Sequence, residues 1–471
     1  ASRKFGMGAE LVTSKLLDAY DYNLLGLYMQ GPLLKGKDSS DGTSLLGYFI
    51  AGEFSYEKDN FPFYDGLYKA KDDYLAHIEE NPLRPTGLGF GTYQNAQFVT
   101  MDDLEKINAK IESPARSANV SVKLDVRTTA TTNLTFGGSL NYNNSIAYIH
   151  SYSMFNYKNF PQVISSTWRV FGRFTQRFNS DTSSKSIVKN VFYNIQADYS
   201  KYNYLQQDPE HKDNLFAYGH WGKFNTYKTK SYELTDLPEY GLYNVYALNN
   251  YYDTLVTFEP GIENPVVANY TSQYYNMYPL NSGNYTNYTL IQNAGALLNG
   301  QQPESIYDLW AAPGTVYNSY SISEAVQVGL TANASADIKN HAFQFGLQYE
   351  QRSDRNFQIG NDQRFGPAGL WTRMRQLTNK HIEQLDSNAI FIVDDYGVFQ
   401  DTVEFDRLYD ASSQAEFDKN LRAELGLPVN STEWIDVDSY DPSLFKIDWF
   451  SADELLNEGN SYVTYYGYDY K

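Results

Sequence analysis

Cysteine is absent from the 471 residues, which rules out a disulfide framework and any thiolate metal site. A cysteine-free chain fits an oxidising compartment that does without bridges. Histidine is scarce. The six residues (His77, His150, His211, His220, His341 and His381) are scattered with no close pair at ligand spacing, so no metal site is expected on them. Basic residues are outnumbered, 37 against 56 acidic, for a formal net charge of −19. A chain of that sign repels polyanions, so nucleic acid is not an expected partner. No apolar run approaches the roughly 18 residues of a transmembrane helix. Nor does an apolar segment follow Ala1-Ser2-Arg3-Lys4, as it would in a signal peptide. An exported protein would then have been processed, or the chain begins within a longer one. Signatures of catalysis are missing too. Gly87-Leu88-Gly89-Phe90-Gly91 follows Pro85 rather than a strand and has the wrong spacing for a phosphate loop, so it reads as a flexible loop. Asp394, Asp395, Glu404 and Asp406 offer carboxylates, but nothing places two of them across a cleft. The expectation is a non-enzyme without a cofactor.

Aromatic side chains are abundant, at 16% of the chain with 43 tyrosines, while the mean hydropathy is −0.53. That combination suits a membrane barrel, whose strands need only about 9–11 residues alternating apolar toward lipid and polar toward the lumen. Alternation is what the chain shows. Leu46, Tyr48, Ile50, Phe54 and Tyr56 share one face. Val120, Val122, Leu124 and Val126 oppose Ser121, Lys123, Asp125 and Arg127. The same rhythm runs through Leu134 to Tyr142, Trp168 to Phe178, Val191 to Tyr199, Val326 to Ala332 and Phe343 to Tyr349. Connections at 34–44, 128–133, 179–190 and 338–341 are short, whereas those at 57–118, 143–165, 202–321 and 351–471 are long. Short and long connections alternating in this way are the topology of outer-membrane barrels. A sandwich shows no such parity. Tyr56, Tyr142, Tyr199 and Tyr349 each end a run that enters a long loop, as the aromatic girdles of a barrel do.

The fold class expected is all-β: an antiparallel transmembrane β-barrel with long extracellular loops containing short helices. With 22–33 and a further segment at 9–14, the strands number about nine, too few to close a barrel alone. The chain is accordingly read as an incomplete part of one, ending in the Tyr-rich segment Tyr462 to Tyr468. It divides into 1–21, the end of a plug or the first barrel strand; 22–350, barrel strands and their loops; and 351–471, a long loop region.

Three segments resemble TonB-dependent transporters of Gram-negative outer membranes, the Oar-like subgroup in particular. Gly8-Ala9-Glu10-Leu11-Val12-Thr13-Ser14 is similar to the passage from plug to barrel. Leu27-Tyr28-Met29-Gln30-Gly31-Pro32-Leu33 with Tyr48-Phe49-Ile50-Ala51-Gly52-Glu53-Phe54 resembles the second and third strands around the first periplasmic turn. Gly369 to Leu377 resembles a loop helix of the subgroup. The resemblance implies a barrel of about 22 strands with a lumen plug. It also implies energy from the TonB-ExbB-ExbD complex and uptake of a scarce, bulky nutrient (a glycan, a peptide or a metal chelate). The TonB box, nearly all of the plug and the last strands are not in this sequence. Rival readings are a porin-like or adhesin barrel and a soluble secreted sugar-binding β protein. Only the transporter demands a plug.

Ligand-binding candidates come from the long loops. A helix over Leu370 to Leu385 sets Leu370, Met374, Leu377 and His381 on one side and turns Trp371, Arg373 and Arg375 elsewhere, toward a ligand or toward neighbouring loops. Tyr251, Tyr252, Tyr274 and Tyr275 lie in a Tyr- and Asn-rich stretch of the kind that builds loop-based binding surfaces. Arg169, Arg173 and Arg177 form a lumen-facing stripe that either pairs with plug carboxylates or guides an anionic ligand. Asp436-Val437-Asp438-Ser439-Tyr440-Asp441 has an acidic rhythm. It lacks the sixth-position glycine and twelfth-position glutamate of a calcium loop, which leaves a cation turn or a solvated acidic turn. Thr100 and Asp103 read as the cap of a short helix from Met101 to Ile111.

Overall fold

A computed structural model describes residues 4–35, 44–59, 63–178, 186–238, 241–360, 366–382, 390–393, 399–402, 413–431 and 433–456. The carboxylates Asp394, Asp395, Glu404 and Asp406, the turn at 36–43 and the terminal Tyr-rich segment lie outside those residues.

The chain begins with three antiparallel strands, β1 (Gly6–Thr13), β2 (Asn23–Lys35) and β3 (Ser44–Glu57). The first long connection carries β4 (Leu67–Ala70), α1 (Asp72–Glu80), β5 (Leu83–Pro85), β6 (Thr92–Gln94) and β7 (Leu104–Ile107). The meander resumes with β8 (Ala115–Arg127), β9 (Thr132–Ile146), β10 (Gln162–Phe178) and β11 (Val188–Gln207). A second long connection holds the hairpin β12 (Gly222–Leu237) and β13 (Leu242–Pro260), then α2 (Pro265–Met277) and α3 (Tyr288–Asn293). The strands β14 (Tyr320–Ile338) and β15 (His341–Ile359) follow. Beyond them come α4 (Leu370–Leu377), β16 (Ile390–Val393), β17 (Phe399–Thr402), α5 (Glu416–Glu424) and α6 (Ala452–Leu456).

One nine-stranded antiparallel sheet runs β1-β2-β3-β8-β9-β10-β11-β14-β15, every neighbour being the next strand of the meander. All nine segments that alternate in the sequence are strands of this sheet. Among the described residues β1 and β15 are edge strands, so the sheet is open. Tight turns such as 128–131 and 339–340 lie at one end. The connections 58–114, 147–161 and 208–319 lie at the other. Later strands run further into their loops than alternation indicates, β11 reaching Gln207 and β15 reaching Ile359.

Register assigns the two faces. Leu25, Phe54, Ala118 and Tyr142 stand in one cross-strand row, and Leu27, Gly52, Val120 and Leu140 in the next. On the same side nearer the turns, the rows Val122-Gly138-Val170-Tyr199-Val328 and Val126-Leu134-Phe174-Ile195-Ala332-Leu347 complete one apolar face, which Ala9 and Leu11 of β1 extend to all nine strands. Its residues are exposed, among them Leu27, Val122, Val170, Ile195, Val328 and Phe345. The opposite face is polar and bonds to itself. Arg169 meets Asp198 at 3.1 Å, Gln196 donates to Asp198 at 3.2 Å, and Arg173 donates to Gln196 at 2.9 and 2.6 Å.

The apolar face has visible limits. Toward the loops the row that is apolar on β2, β3, β8 and β9 (Leu25, Phe54, Ala118, Tyr142) turns polar on β10, β11, β14 and β15 as Ser166, Asn203, Glu324 and Arg355, with Lys201 paired to Glu324 at 2.6 Å. Just below that row Trp168 packs on Tyr199 at 5.1 Å. Near the turns Tyr193 packs between Phe174 and Phe178, at 5.9 and 6.0 Å. The ten steps from Trp168 to Phe178 rise about 33 Å along the strand, or about 23–27 Å along the normal at a tilt of about 35–45°. An outer-membrane barrel carries an apolar band of about 25 Å.

Almost all buried apolar side chains lie in the loops, which fold together into a cap with three cores. One gathers Tyr218, Trp221, Phe224, Val256, Tyr274 and Tyr285. A second gathers Trp371, Met374, Phe417, Phe445, Trp449 and Phe450. The third joins all three connections at that end, 58–114 through Leu75, 147–161 through Phe155 and Phe160, and 208–319 through Ile306. Carboxamides knit the irregular backbone, meeting peptide groups that no ladder satisfies. Asn269 donates to Glu79 O at 3.0 Å, Asn156 to Thr315 O at 2.6 Å, and Asn264 to Ala217 O at 2.7 Å. A buried ion pair, Lys110 with Asp59 at 3.2 Å, fastens the foot of the first long connection.

The helix expected over Met101 to Ile111 does not form. The Thr100–Asp103 capping box is present, but it caps a single 3-10 turn, Met101–Asp103. Leu104 and Ile107 then pair with β4, because edge-to-edge pairing satisfies backbone that an isolated short helix would leave marginal.

Candidate functional site

Trp371, Arg373 and Arg375 of α4 are engaged by neighbouring segments of the chain. Trp371 is wholly buried, donates its indole N–H to Phe216 O at 2.8 Å and stacks on His220 at 5.2 Å. Arg373 is buried and donates to Glu454 O. Arg375 bonds Asp438 at 2.8 Å, Asn299 O at 2.9 Å and the Thr372 hydroxyl at 3.2 Å. Leu370, Met374 and Leu377 are buried as well, as is His381 beyond the helix, and the exposed face of α4 is formed by Thr372 and Gln376. The neighbouring-loop alternative, not the ligand one, describes these contacts.

The acidic turn is divided rather than convergent, with Asp438 buried, Asp436 half-buried and Asp441 exposed. Asp438 is buried and takes its bonds from Arg375 and from Asn299, at 3.0 Å. Asp436 accepts from the Thr226 N–H at 2.9 Å. Burial, reinforced by the Asp438 charge, pushes its carboxyl up to about 6. Asp441 caps the next turn through Ser443, whose bonds at 3.0 and 2.6 Å hold its carboxyl below the ordinary range. Among the described residues no group of three or more His, Asp or Glu side chains is arranged to hold a metal ion.

The tyrosines of the second long connection are structural where they are described. Tyr274 is buried, with Tyr285 5.2 Å away, and Tyr275 stacks on Tyr285 at 4.3 Å. Their hydroxyls donate to the backbone at Asn284, Val256 and Tyr278. Burial pushes the Tyr285 phenol up to about 12. Tyr252 is exposed on the outer half of the β12–β13 hairpin, and the Tyr251 side chain lies outside what is described. Arg169, Arg173 and Arg177 stay together on the polar face of β10. The first two are partnered as above, and Arg177 lies over the Phe192 ring at 5.7 Å.

The residues brought together around open space are others. A cavity of ≈650 Å³ lies between the β5–β6 hairpin and the segment 292–304. Six carboxamides line it: Gln94, Gln97, Gln292, Asn293, Gln301 and Gln302. Phe90 and Tyr93 supply aromatic rings, and Glu304, exposed at the rim, supplies the one carboxylate among the described lining residues. No Lys, Arg or His is among them. The walls are locked by Thr92, whose hydroxyl donates to Ala294 O at 2.9 Å. Gly295 sits at φ +92°, and a Cβ there would meet that hydroxyl at 2.5 Å. Gln94 donates to Glu304 O at 2.8 Å and Gln302 accepts from the Val316 N–H at 3.1 Å. The other amide atom of each, Gln94 Oε1 and Gln302 Nε2, is buried without a partner. The glycine-rich segment beside the cavity is a closed turn, with Thr86 donating to Phe90 O at 2.6 Å and Tyr278 to Gly91 O at 2.8 Å. Sequence reading missed this site because its residues come from separate loops and form no motif.

No family model matches the chain, and no curated protein matches it. Among solved structures it is similar to the siderophore receptor PiuA from Acinetobacter baumannii, at 13% identity and a TM-score of 0.23. The match covers 75% of this chain and 42% of that one, so the chain spans less than half of the receptor's length. A likeness this slight assigns neither fold nor function.

Proposed function

We propose that the chain is part of a TonB-dependent outer-membrane transporter. It takes up a scarce, bulky nutrient that the loop cap captures, and it performs no catalysis. The observation that carries this reading is the apolar face of the nine-stranded sheet. In water such a face, exposed across nine strands and many times larger than scattered surface apolar residues, would drive association. In a bilayer it is the solvated surface, and its limits match the apolar thickness such barrels present. The polar, self-bonded opposite face then lines a lumen. The long connections stand on the outside, and energy comes from the TonB-ExbB-ExbD complex through a plug. The motifs around Gly31-Pro32-Leu33 support the same family.

Because the chain has no cysteine, single cysteines report without background. Replacing Leu27, Val122, Val170 or Val328 should give thiols that react with a bilayer-soluble reagent in outer-membrane preparations and resist a charged maleimide. Replacing Ser121, Ser139 or Ser200, on the polar face, should give the reverse. Equal reaction of both sets with the aqueous reagent would remove the membrane and with it the transporter.

A further inference from the structure

We infer that the cavity between the β5–β6 hairpin and residues 292–304 is a binding site for a neutral, hydroxyl-rich oligosaccharide. The inference rests on the uptake reading and narrows its nutrient to one chemical class. At ≈650 Å³ the cavity is within the range of about 300–1,000 Å³ that small-ligand sites occupy.

Its chemistry selects among the nutrients. A carboxamide donates and accepts at once, and so does a hydroxyl, so amide-lined walls match a sugar without excess charge. Phe90 and Tyr93 stay 38% and 50% exposed beside these amides, leaving aromatic faces for the apolar side of a pyranose ring. An anionic metal chelate would find no cation among the described lining residues. The nearby guanidinium of Arg84 is engaged by Asn95 and by the Phe98 ring, at 3.8 Å. A short peptide fares no better, since its carboxylate terminus would be desolvated unpaired. The walls are also set in advance by the Thr92, Gly295 and Tyr278 contacts, so little ordering opposes binding.

The test uses the full chain in detergent micelles against an array of neutral oligosaccharides, with ferric citrate and a neutral-sequence tripeptide as the competing classes. Binding is measured by saturation-transfer NMR and calorimetry. The expected result is binding of at least one neutral oligosaccharide, weakened about tenfold or more by Gln97→Leu and by Tyr93→Ala. Gln97 is half-buried and holds its loop through its backbone carbonyl, which accepts the Tyr307 hydroxyl, so its side chain can change without unfolding the wall. An array silent throughout, sugar binding indifferent to both substitutions, or ferric citrate binding that Gln97→Leu weakens would each overturn the inference. The cysteine experiment separates the two levels. Lipid-facing labels with a silent array leave the transporter without this site. Sugar binding with aqueous labelling of both faces leaves the site on a soluble protein.

Discussion

Asp436 and Asp438 are two residues apart, yet their surroundings differ in kind. Asp438 is matched by the Arg375 guanidinium and the Asn299 amide, whereas Asp436 has no cation, only the Thr226 N–H and hydroxyl and the Asp438 N–H, and it bears the repulsion of its neighbour. Beside them the Tyr288 hydroxyl, 3.5 Å from Asp438, is held well above the ordinary phenol range by burial and by the two carboxylates. A carboxyl raised to about 6 in the folded cap takes up a proton before the unfolded chain does. This group therefore destabilises the cap at neutral pH, and the cost disappears as pH falls through 6 toward 4. The cost at neutral pH is at most about 3 kcal/mol, from some two pKa units at about 1.4 kcal/mol each. Asp436→Asn keeps an oxygen for the Thr226 N–H and removes the charge. It should raise the cap's melting temperature at pH 7.5 and flatten its rise between pH 7.5 and 5. An unchanged pH profile in the variant would show that Asp436 does not titrate as argued. None of this was legible in the sequence. Spacing reveals that carboxylates are neighbours, but their partners here come from 63 and 210 positions away.

Among the elements, those in the sheet were legible and those in the cap were not, for a physical reason. Strands β3 and β8 to β11 present one apolar and one polar face of a single sheet, so period-2 alternation is written into the chain. Above the row at Glu324 both faces of a strand meet water or cap, alternation fades, and the strand ends could not be read. The β12–β13 hairpin shows the same effect throughout. Its Lys223, Asn225, Tyr227 and Thr229 alternate with Phe224, Thr226, Lys228 and Lys230, a pattern that separates no apolar face beyond the base. The base is where the hairpin is anchored, with Phe224 buried 4.7 Å from Phe258. Phe224→Ala should cost about 3–5 kcal/mol of cap stability in a denaturant titration. Tyr252→Ala, on the exposed half, should cost under about 0.5 kcal/mol. Comparable losses would mean that the outer hairpin is packed against something. Helix α4 was read as a helix with an apolar side, but it ends at Leu377, where Thr378 turns extended, so His381 lies beyond it rather than on it. That Trp371 and Arg373 are also buried depended on segments 215–216 and 445–454 arriving from elsewhere.

For the whole molecule, the division between a two-faced sheet and a densely packed cap confines five of the six tryptophans to the cap: Trp221, Trp310, Trp371, Trp434 and Trp449. Trp168 alone lies on the apolar face of the sheet, at its loop-side limit. In vesicles containing lipids brominated near the headgroup, tryptophan emission should fall, and Trp168→Phe should abolish most of the fall. Quenching that survives the substitution would place a cap tryptophan in lipid and move the boundary.

The strands lengthen along the chain, from 8 residues in β1 to 20 in β11 and 19 in β15. Beyond Lys201, β11 continues for six residues, about 20 Å of strand or about 14–16 Å of height at the tilt that outer-membrane barrels adopt. In the proposed transporter the wall on that flank is a parapet above the headgroups, with the cap and its cavity carried at the top of it. Molecules that diffuse within the plane of the bilayer pass below the opening. Solutes arriving from the medium meet it first, so the height of the wall sorts ligands by their route of approach before any contact sorts them by chemistry.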